Sequence, residues 1–336
     1  MPTINTAITL KDLPAPPPGK TGWPWTEASN PLPELMPNAR KWPRISIVTP
    51  SYNYGQFIEE TIRSVLLQGY PNLEYIIIDG GSTDNTVEII QKYANYLSYW
   101  ISEPDQGQTD AINKGYSYCT GEVFAWINAD DSYTKSALQM VSKYYLQGYK
   151  FIAGSSVTIY SDGSRETLHP TPVNFERYLK FWKYPALPQA SVFVAKEIVD
   201  NCLPLDKNLY ILMDYQFFLR AFSQKPQSVY VDQIWSIFRF HGKNKSLSNY
   251  EGSAEELSKI LSSESNKLPR IQRQLYELEL ADYMVLQPLI FSSILPSTKQ
   301  LFASLTARPT LARWIVFWKL VIKSTLFRTR YSTIKR

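Results

Sequence analysis

Cysteine and histidine are the scarcest residues of this chain, with two of each among 336 residues. The two cysteines, Cys119 and Cys202, are too few for a disulfide framework, so we expect free thiols and a cytoplasmic setting. No apolar run approaches the roughly 20 residues that span a bilayer. The N-terminus also lacks the basic and then apolar pattern of a secretory signal. These absences exclude a disulfide scaffold and predict no membrane-spanning helix.

Acidic residues are missing between residue 283 and the C-terminus, a stretch that holds nine of the 35 basic residues. The rest of the chain is therefore net acidic, which argues against nucleic-acid binding. Within the basic tail, residues 314–318 are aromatic and apolar, and Arg313, Lys319 and Lys323 flank them. This pattern is typical of a segment that lies in a membrane interface. The alternative is a C-terminal helix that packs on the protein with its basic face solvated.

Two glycine-rich nucleotide motifs are also absent. The string Gly19-Lys20-Thr21 lacks the earlier glycine of a phosphate loop, because Pro14 stands in its place. No G-x-G-x-x-G follows the first predicted strand, which argues against a dinucleotide-dependent dehydrogenase. The first 43 residues contain ten of the 23 prolines, and proline at this density excludes regular helix. We expect an extended arm, held to the body by Trp23 and Trp25.

From residue 44 onward, short β-branched runs alternate with helical periodicity about every 25 residues. This alternation predicts an α/β fold with a mostly parallel sheet between helices. Strands are predicted at 45–49, 74–78, 99–102 and 123–127 and from 151, and helices at 57–66, after 84, at 109–118 and at 134–147. A charged helix or helix pair is predicted for 253–280. We expect three parts, namely the arm (1–43), the α/β domain (44–250) and a helical, basic C-terminal extension (251–336).

Carboxylates follow several of the predicted strands. Asp79 ends one strand, and the adjacent Asp130 and Asp131 follow another. Ligands bind at the carboxyl ends of parallel strands. Two neighbouring carboxylates repel each other, and a divalent cation would remove that cost. The alternative for the pair is a helix cap before residue 134.

Further polar residues at the strand ends suit a nucleotide. Tyr52 could stack on a base, and backbone groups around Pro50 could fix it. The glycines after Asp79, Gly80 and Gly81, allow a close backbone approach, although a plain turn explains them too. In the loop 102–115, Asp105 and Asn113 could hold a ribose or a diphosphate near a helix N-terminus.

His241 follows the apolar run 234–240 and precedes glycine, lysine and asparagine. A lone histidine is usually structural, but a flexible loop near a site makes it a candidate metal ligand. His169, which precedes Pro170, has no such context.

Five strings in order resemble the family-2 glycosyltransferases with a GT-A fold, especially the bacterial enzymes of polysaccharide and glycolipid assembly. The strings occupy 46–53, 78–84, 102–115, 128–131 and 212–215, and the resemblance covers roughly 44–245. It implies a nucleoside-diphosphate sugar donor, most often a UDP-sugar, a saccharide or lipid-linked acceptor, and a divalent cation, Mn²⁺ or Mg²⁺.

The resemblance also implies roles for individual residues. Asp214 matches the catalytic base, and Asp131 and His241 match metal ligands. The residues matched to nucleotide-sugar binding are Thr49, Pro50, Tyr52, Asn53, Asp79, Gly81, Asp105, Asn113, Asp130 and Gln189.

Two other functions compete with a transferase of inverting mechanism. A sugar nucleotidyltransferase also uses an aspartate pair at a strand end, but it normally has a basic, glycine-rich loop after the first strand. Here that loop, residues 50–55, contains no cation. A catalytically silent relative would bind the nucleotide sugar or scaffold an assembly complex, and the presence of both Asp131 and Asp214 argues against it.

Overall fold

The computed structural model describes residues 6–184, 186–242, 244–245, 250–291 and 298–313. They form two compact units, which divide between residues 261 and 262. The strands of the first unit are β1 (Ile45–Ser51), β2 (Leu73–Asp79), β3 (Tyr99–Ser102), β4 (Val123–Trp126), β5 (Ser132–Tyr133), β6 (Phe151–Ile159), β7 (Arg165–Leu168), β8 (Val192–Ala195) and β9 (Ser228–Arg239). Its helices are α1 (Ile58–Leu66), α2 (Thr86–Tyr93), α3 (Gln108–Ser117), α4 (Ala137–Leu146), α5 (Phe175–Leu179), α6 (Lys196–Val199) and α7 (Met213–Ser223), and α8 (Tyr250–Ser265) begins in it.

The strands form one mixed sheet in the order β3-β2-β1-β4-β8-β6-β9-β5, with β7 on the side of β6. The pairs β1–β2, β1–β4 and β2–β3 are parallel, as is β6–β9, whereas β8 runs antiparallel to both neighbours. Strand order reverses at β1, since β2 lies on one side of it and β4 on the other. Loops leaving β1 and β4 in opposite directions open a crevice there, which is where α/β sheets bind ligands.

The core lies against this parallel half. Every residue of β1, β2 and β4 is buried, which fits their continuous apolar runs. On α3, Gly115 lets the helix approach the sheet, because a Cβ there would lie 2.5 Å from Val48 Cγ1. The predicted α/β fold is confirmed, and most predicted strands and helices begin or end within two residues of the observed ones.

One predicted helix begins too early. The sequence predicts a helix at 134–147, with a helix cap as the alternative role of the aspartate pair, but α4 begins at Ala137. Ser132 and Tyr133 instead pair with β9, opposite Ile237 and Ser236. A tertiary strand pair thus replaces the local cap, and the aspartate pair is not a helix cap.

The N-terminal arm packs on the body as expected. Trp25 is 7% exposed, and the indole of Trp23 donates to the Tyr133 carbonyl at 2.8 Å. The buried Arg63 guanidinium donates to backbone carbonyls of the arm at Pro14 and Trp25, both at 2.9 Å. The arm is therefore integrated with α1 and the core.

The second unit contains the end of α8, α9 (Arg270–Phe291) and α10 (Thr298–Ala307). Within it, buried Asp282 accepts from Arg308 Nε at 3.1 Å and from Thr310 Oγ1 at 2.5 Å. Among the described residues, no helix is both long and apolar enough to cross a membrane. Residues 314–323, the basis of the predicted membrane contact, lie outside the described residues.

Candidate active site

A cleft of about 900 Å³ opens at the carboxyl ends of β1 and β4. Pro50 at the end of β1 and Tyr52 after it line the cleft, and so do Asp130 and Asp131 after β4. The segment around α7 contributes Asp214 from the opposite side. Residues separated by more than 150 positions thus meet in one crevice.

The aspartate pair is almost fully enclosed. Asp130 is 5% exposed and Asp131 is 1% exposed. The Asp131 carboxylate accepts only two long hydrogen bonds that we identify among the described residues, from Arg239 N at 3.3 Å and Asn128 Nδ2 at 3.4 Å. Burial, and then the neighbouring charge of Asp130, raise the pKa of Asp131 well above its usual range. A bound cation would remove this penalty.

Side chains of α1 and β9 donate hydrogen bonds to the backbone of the loop that carries the aspartate pair. Thr61 Oγ1, on α1, donates to the Asp131 carbonyl at 2.6 Å. Arg239 Nη1 donates to the Asp130 carbonyl at 3.1 Å, and Glu60 accepts from Arg239 Nη2 at 2.6 Å. These contacts fix the position of both carboxylates before any ligand arrives.

His241 lies beside Asp130, not Asp131. Its Nε2 is 3.0 Å from Asp130 Oδ2, and its ring stacks on Phe57 with centroids 4.7 Å apart. Asn244 Nδ2 approaches the same Asp130 oxygen at 3.5 Å. The structure thus pairs His241 with Asp130, whereas the sequence prediction groups His241 with Asp131 as metal ligands and has Asp130 face the sugar; these roles stay predictions.

The donor set fits a cation that shares its coordination with a substrate. Among the described residues, no three His, Cys, Asp or Glu side chains are grouped so that they could hold a metal ion alone. Mg²⁺-type sites in phosphate-handling enzymes use one or two carboxylates and complete their shell with substrate phosphates and water. Asp130 and Asp131 supply that number of carboxylates.

Asp214 lies in the first turn of α7 and is half-buried. Its Oδ1 accepts from Tyr215 N at 2.7 Å. Burial raises the pKa of Asp214 to about 6, and the charge of Lys245 opposes that rise. The carboxylate is thus ionised at neutral pH yet more basic than an ordinary aspartate, which suits a general base.

Sequence reasoning missed Lys245 as a cleft residue. Its Nζ lies 4.0 Å over the ring of Tyr210 and 3.1 Å from Gln108 Oε1. Burial lowers its pKa to about 8. A cation here faces a cleft that four aspartates also line, and it suits an anionic diphosphate. The only sequence signal was the polar loop after His241.

The crevice end near β1 suits a flat ligand. Tyr52 is 57% exposed, so one face of its ring is open for stacking. Asp105 also lines the cleft; it accepts from Gly107 N at 2.7 Å, and burial raises its pKa. Gln189 lines the cleft from the other half of the sheet and donates to the Trp126 carbonyl at 2.8 Å.

Two expected contact residues face elsewhere. Thr49 is fully buried, and its hydroxyl is 3.0 Å from the Tyr75 hydroxyl inside the core. Asn113 uses both ends of its amide on the backbone of Leu205, at 2.9 and 2.7 Å. Thr49 alternates with Val48 and Pro50 along β1, which directs it away from the crevice. Both residues therefore support the walls of the site and do not line it.

Asp79, Gly81 and Asn53 shape the loop beside the crevice. The buried Asp79 carboxylate accepts from Gly81 N at 3.2 Å and from Ser82 N and Oγ at 2.8 and 2.5 Å. Gly81 has φ of +81°, which favours glycine. Asn53 Oδ1 accepts from Thr83 N at 2.8 Å. These bonds join the loops after β1 and β2, and any direct contact of the three residues with a nucleotide stays a prediction.

Comparison with known proteins agrees with this geometry. Residues 46–196 match the model of the family described as glycosyl transferase family 2. An uncharacterized glycosyltransferase of Nostoc sp. is 25% identical over 232 residues, which is 64% of this chain and 70% of that protein. The putative teichuronic acid biosynthesis glycosyltransferase TuaG of Bacillus subtilis is 34% identical over 108 residues, 31% of this chain and 43% of its own.

Among solved structures, S. aureus TarS in complex with UDP-GlcNAc superposes with a TM-score of 0.60 at 16% identity. The match covers 84% of this chain and 79% of that one. The fold is thus that of the GT-A glycosyltransferases. More specifically, residues 46–196 match glycosyl transferase family 2, which confirms the resemblance read from the sequence.

Proposed function

We propose that the chain is a metal-dependent, inverting glycosyltransferase that uses a UDP-sugar to extend a cell-surface polysaccharide or glycolipid. The observation that carries the proposal is the position of Asp214, whose pKa is raised to about 6, in the same cleft as the buried pair Asp130 and Asp131. One group can accept a proton while the others hold a charged donor.

The donor would lie along the β1 side of the cleft. Tyr52 would stack on the base, and Asp105 would accept from the ribose. The diphosphate would then lie between the aspartate pair and Lys245. A UDP-sugar is supported by TarS, whose structures hold UDP-GlcNAc and UDP, and a polysaccharide product by the name of TuaG.

Asp130 and Asp131 would hold the divalent cation, Mn²⁺ or Mg²⁺, with His241 orienting Asp130. When bound, the cation would neutralise charge on the departing diphosphate. Lys245 would donate to the same phosphate oxygens.

Asp214 would accept the proton of the acceptor hydroxyl as that oxygen attacks the anomeric carbon. The new carbon–oxygen bond forms while the bond from that carbon to the diphosphate breaks, so the nucleoside diphosphate leaves with the bonding electrons. A single displacement of this kind inverts the anomeric configuration. Gln189 and the apolar wall at Leu187 and Ile211 would contact the acceptor, a saccharide or a lipid-linked sugar.

A donor panel tests this proposal. Release of nucleoside diphosphate is measured from UDP-, GDP- and TDP-sugars with Mn²⁺, Mg²⁺ or chelator, in wild type, Asp131→Ala and Asp214→Asn. Glu88→Gln, an exposed change on α2, is the matched control and should behave as wild type.

The expected result is metal-dependent release from one donor, lost in both aspartate variants and kept in the control. Nucleotide binding without release in wild type, across a panel of saccharide and lipid-linked acceptors, would favour a silent binder. No binding of any donor would refute the proposal. The anomeric configuration of the product, read by NMR, separates inversion from retention.

A further inference from the structure

A carboxylate from far along the chain bonds the backbone that leads into the helix carrying Asp214. Glu256, on α8, is 7% exposed. Its Oε1 accepts from Tyr210 N at 2.6 Å, and its Oε2 accepts from Ile211 N and Leu212 N, both at 2.9 Å. The first backbone N–H groups of a helix lack partners within it. Only the last of these amides, that of Leu212 directly before α7, is such a group. The Leu212 side chain makes no cap, and Glu256, 44 residues away, accepts from the Leu212 amide.

The segment 210–212, which Glu256 bonds, is part of the cleft. Tyr210 presents its ring to Lys245, and Asp214 follows Leu212 by two residues. Thr109 Oγ1 donates to the Leu209 carbonyl at 3.0 Å and so fixes the start of the same segment. Any movement of the amides of 210–212 would therefore displace both Asp214 and the Tyr210 ring that contacts Lys245.

We propose that Glu256 is a positioning residue for the transfer reaction: its carboxylate holds the backbone of 210–212 so that Asp214 points at the acceptor. The inference rests on the proposed function, in which Asp214 is the general base. It also gives α8 a role in the active site, although α8 lies outside the family match at 46–196.

An ordinary helix cap does not explain this arrangement. In α5 the cap is local, since Asn174 Oδ1 accepts from Arg177 N three residues later. Glu256 instead crosses from another element and bonds three successive amides. Its negative charge also suits the N-terminus of α7, where the helix dipole is positive. Glu256 thus fixes the backbone of 210–212 by hydrogen bonds and also places a negative charge near the first turn of α7.

The test compares two buried carboxylates of equal bonding. Glu74 is 3% exposed and accepts from three donors, namely Ser46 Oγ, Thr120 N and Thr120 Oγ1, but it lies at the opposite end of the strands from the cleft. Glu256→Gln and Glu74→Gln each remove one charge without changing shape. Both should lower the melting temperature, so stability alone does not separate them.

Steady-state kinetics separate them. We expect kcat of Glu256→Gln to fall roughly 10- to 100-fold, the scale of a misplaced catalytic group, while KM for the donor changes less than about threefold. Glu74→Gln should keep kcat. A Glu256→Gln enzyme with wild-type kcat, or an equal loss in Glu74→Gln, would overturn the inference and leave the proposed function intact. A wild type with no transfer from any donor would refute the proposed function itself.

Amide hydrogen exchange on the wild-type chain provides a second test that needs no variant to fold. The amides of 210–212 should exchange as slowly as those inside α7, because Glu256 engages them. Exchange at the rate of an unprotected loop would also overturn the inference. Slow exchange together with the selective loss of kcat would support it.

Discussion

The same parallel strands end in two very different polar environments. At their amino ends, the buried carboxylate of Glu74 accepts bonds of 2.5, 2.6 and 2.7 Å. At their carboxyl ends, the equally buried Asp131 accepts bonds of 3.3 and 3.4 Å. Burial is the same, but hydrogen bonding is not. A carboxylate that the protein satisfies itself is structural, whereas one held in place and left weakly bonded is suited to a ligand.

The largest expected effect concerns Asp214. Replacement by Asn keeps the shape and removes the proposed base, so kcat should fall about 10³-fold, within the range of general-base contributions. Binding of the donor nucleotide, measured by calorimetry, should change little. A variant that retains more than a tenth of the wild-type rate would show that another group accepts the proton.

The second prediction tests the difference between Asp131 and Glu74 by removing the charge of each in turn. Asp131→Asn should lower the transfer rate about 100-fold and remove the metal dependence of nucleotide binding. Its unfolding free energy without metal should stay level or rise, because a poorly compensated buried charge is lost. Glu74→Gln should leave the transfer rate unchanged and lower the unfolding free energy by about 1–3 kcal/mol. Urea unfolding of both variants without metal checks this, and equal stability losses would contradict it.

The third prediction concerns pH. Because the pKa of Asp214 is about 6 in the free protein, the proposed base is protonated below that value, and kcat/KM should fall tenfold per pH unit there. The folded pKa exceeds the unfolded one, so the Asp214 contribution to stability is present below pH 4 and is lost as the pH rises through 6. A rate profile that stays flat down to pH 5 would argue against Asp214 as the base.

The smallest expected effects distinguish residues that line the cleft from residues that support its walls. Tyr52→Ala should raise KM for the donor roughly 5- to 50-fold, the scale of one lost base-stacking contact. Thr49→Val should leave KM unchanged, because Thr49 bonds Tyr75 inside the core. If both changes raised KM equally, the nucleotide would have to lie deeper against β1 than the cleft indicates.

Much of the fold and the centre of the site could be predicted from the sequence. Apolar runs mark β1, β2 and β4, and the carboxyl ends of parallel strands converge, so Asp130 and Asp131 could be placed together near Tyr52. What failed was the direction of individual side chains. Asn113 had a suitable polar neighbourhood, but its partner Leu205 is 92 residues away. Glu256 falls within the predicted charged helix, and no local pattern indicates that its carboxylate bonds the backbone of 210–212.

The arm also bears on where this protein can be cut. Arg63 is 1% exposed, and its partners are carbonyls at Pro14, Pro24 and Trp25 and the hydroxyl of Tyr93. A recombinant fragment that starts at residue 46, where the family match begins, would strip three acceptors from a buried cation. The same α1 helix carries Thr61, which supports the Asp131 backbone. The minimal expressible enzyme therefore begins well before its recognisable family boundary, and affinity tags belong ahead of the arm.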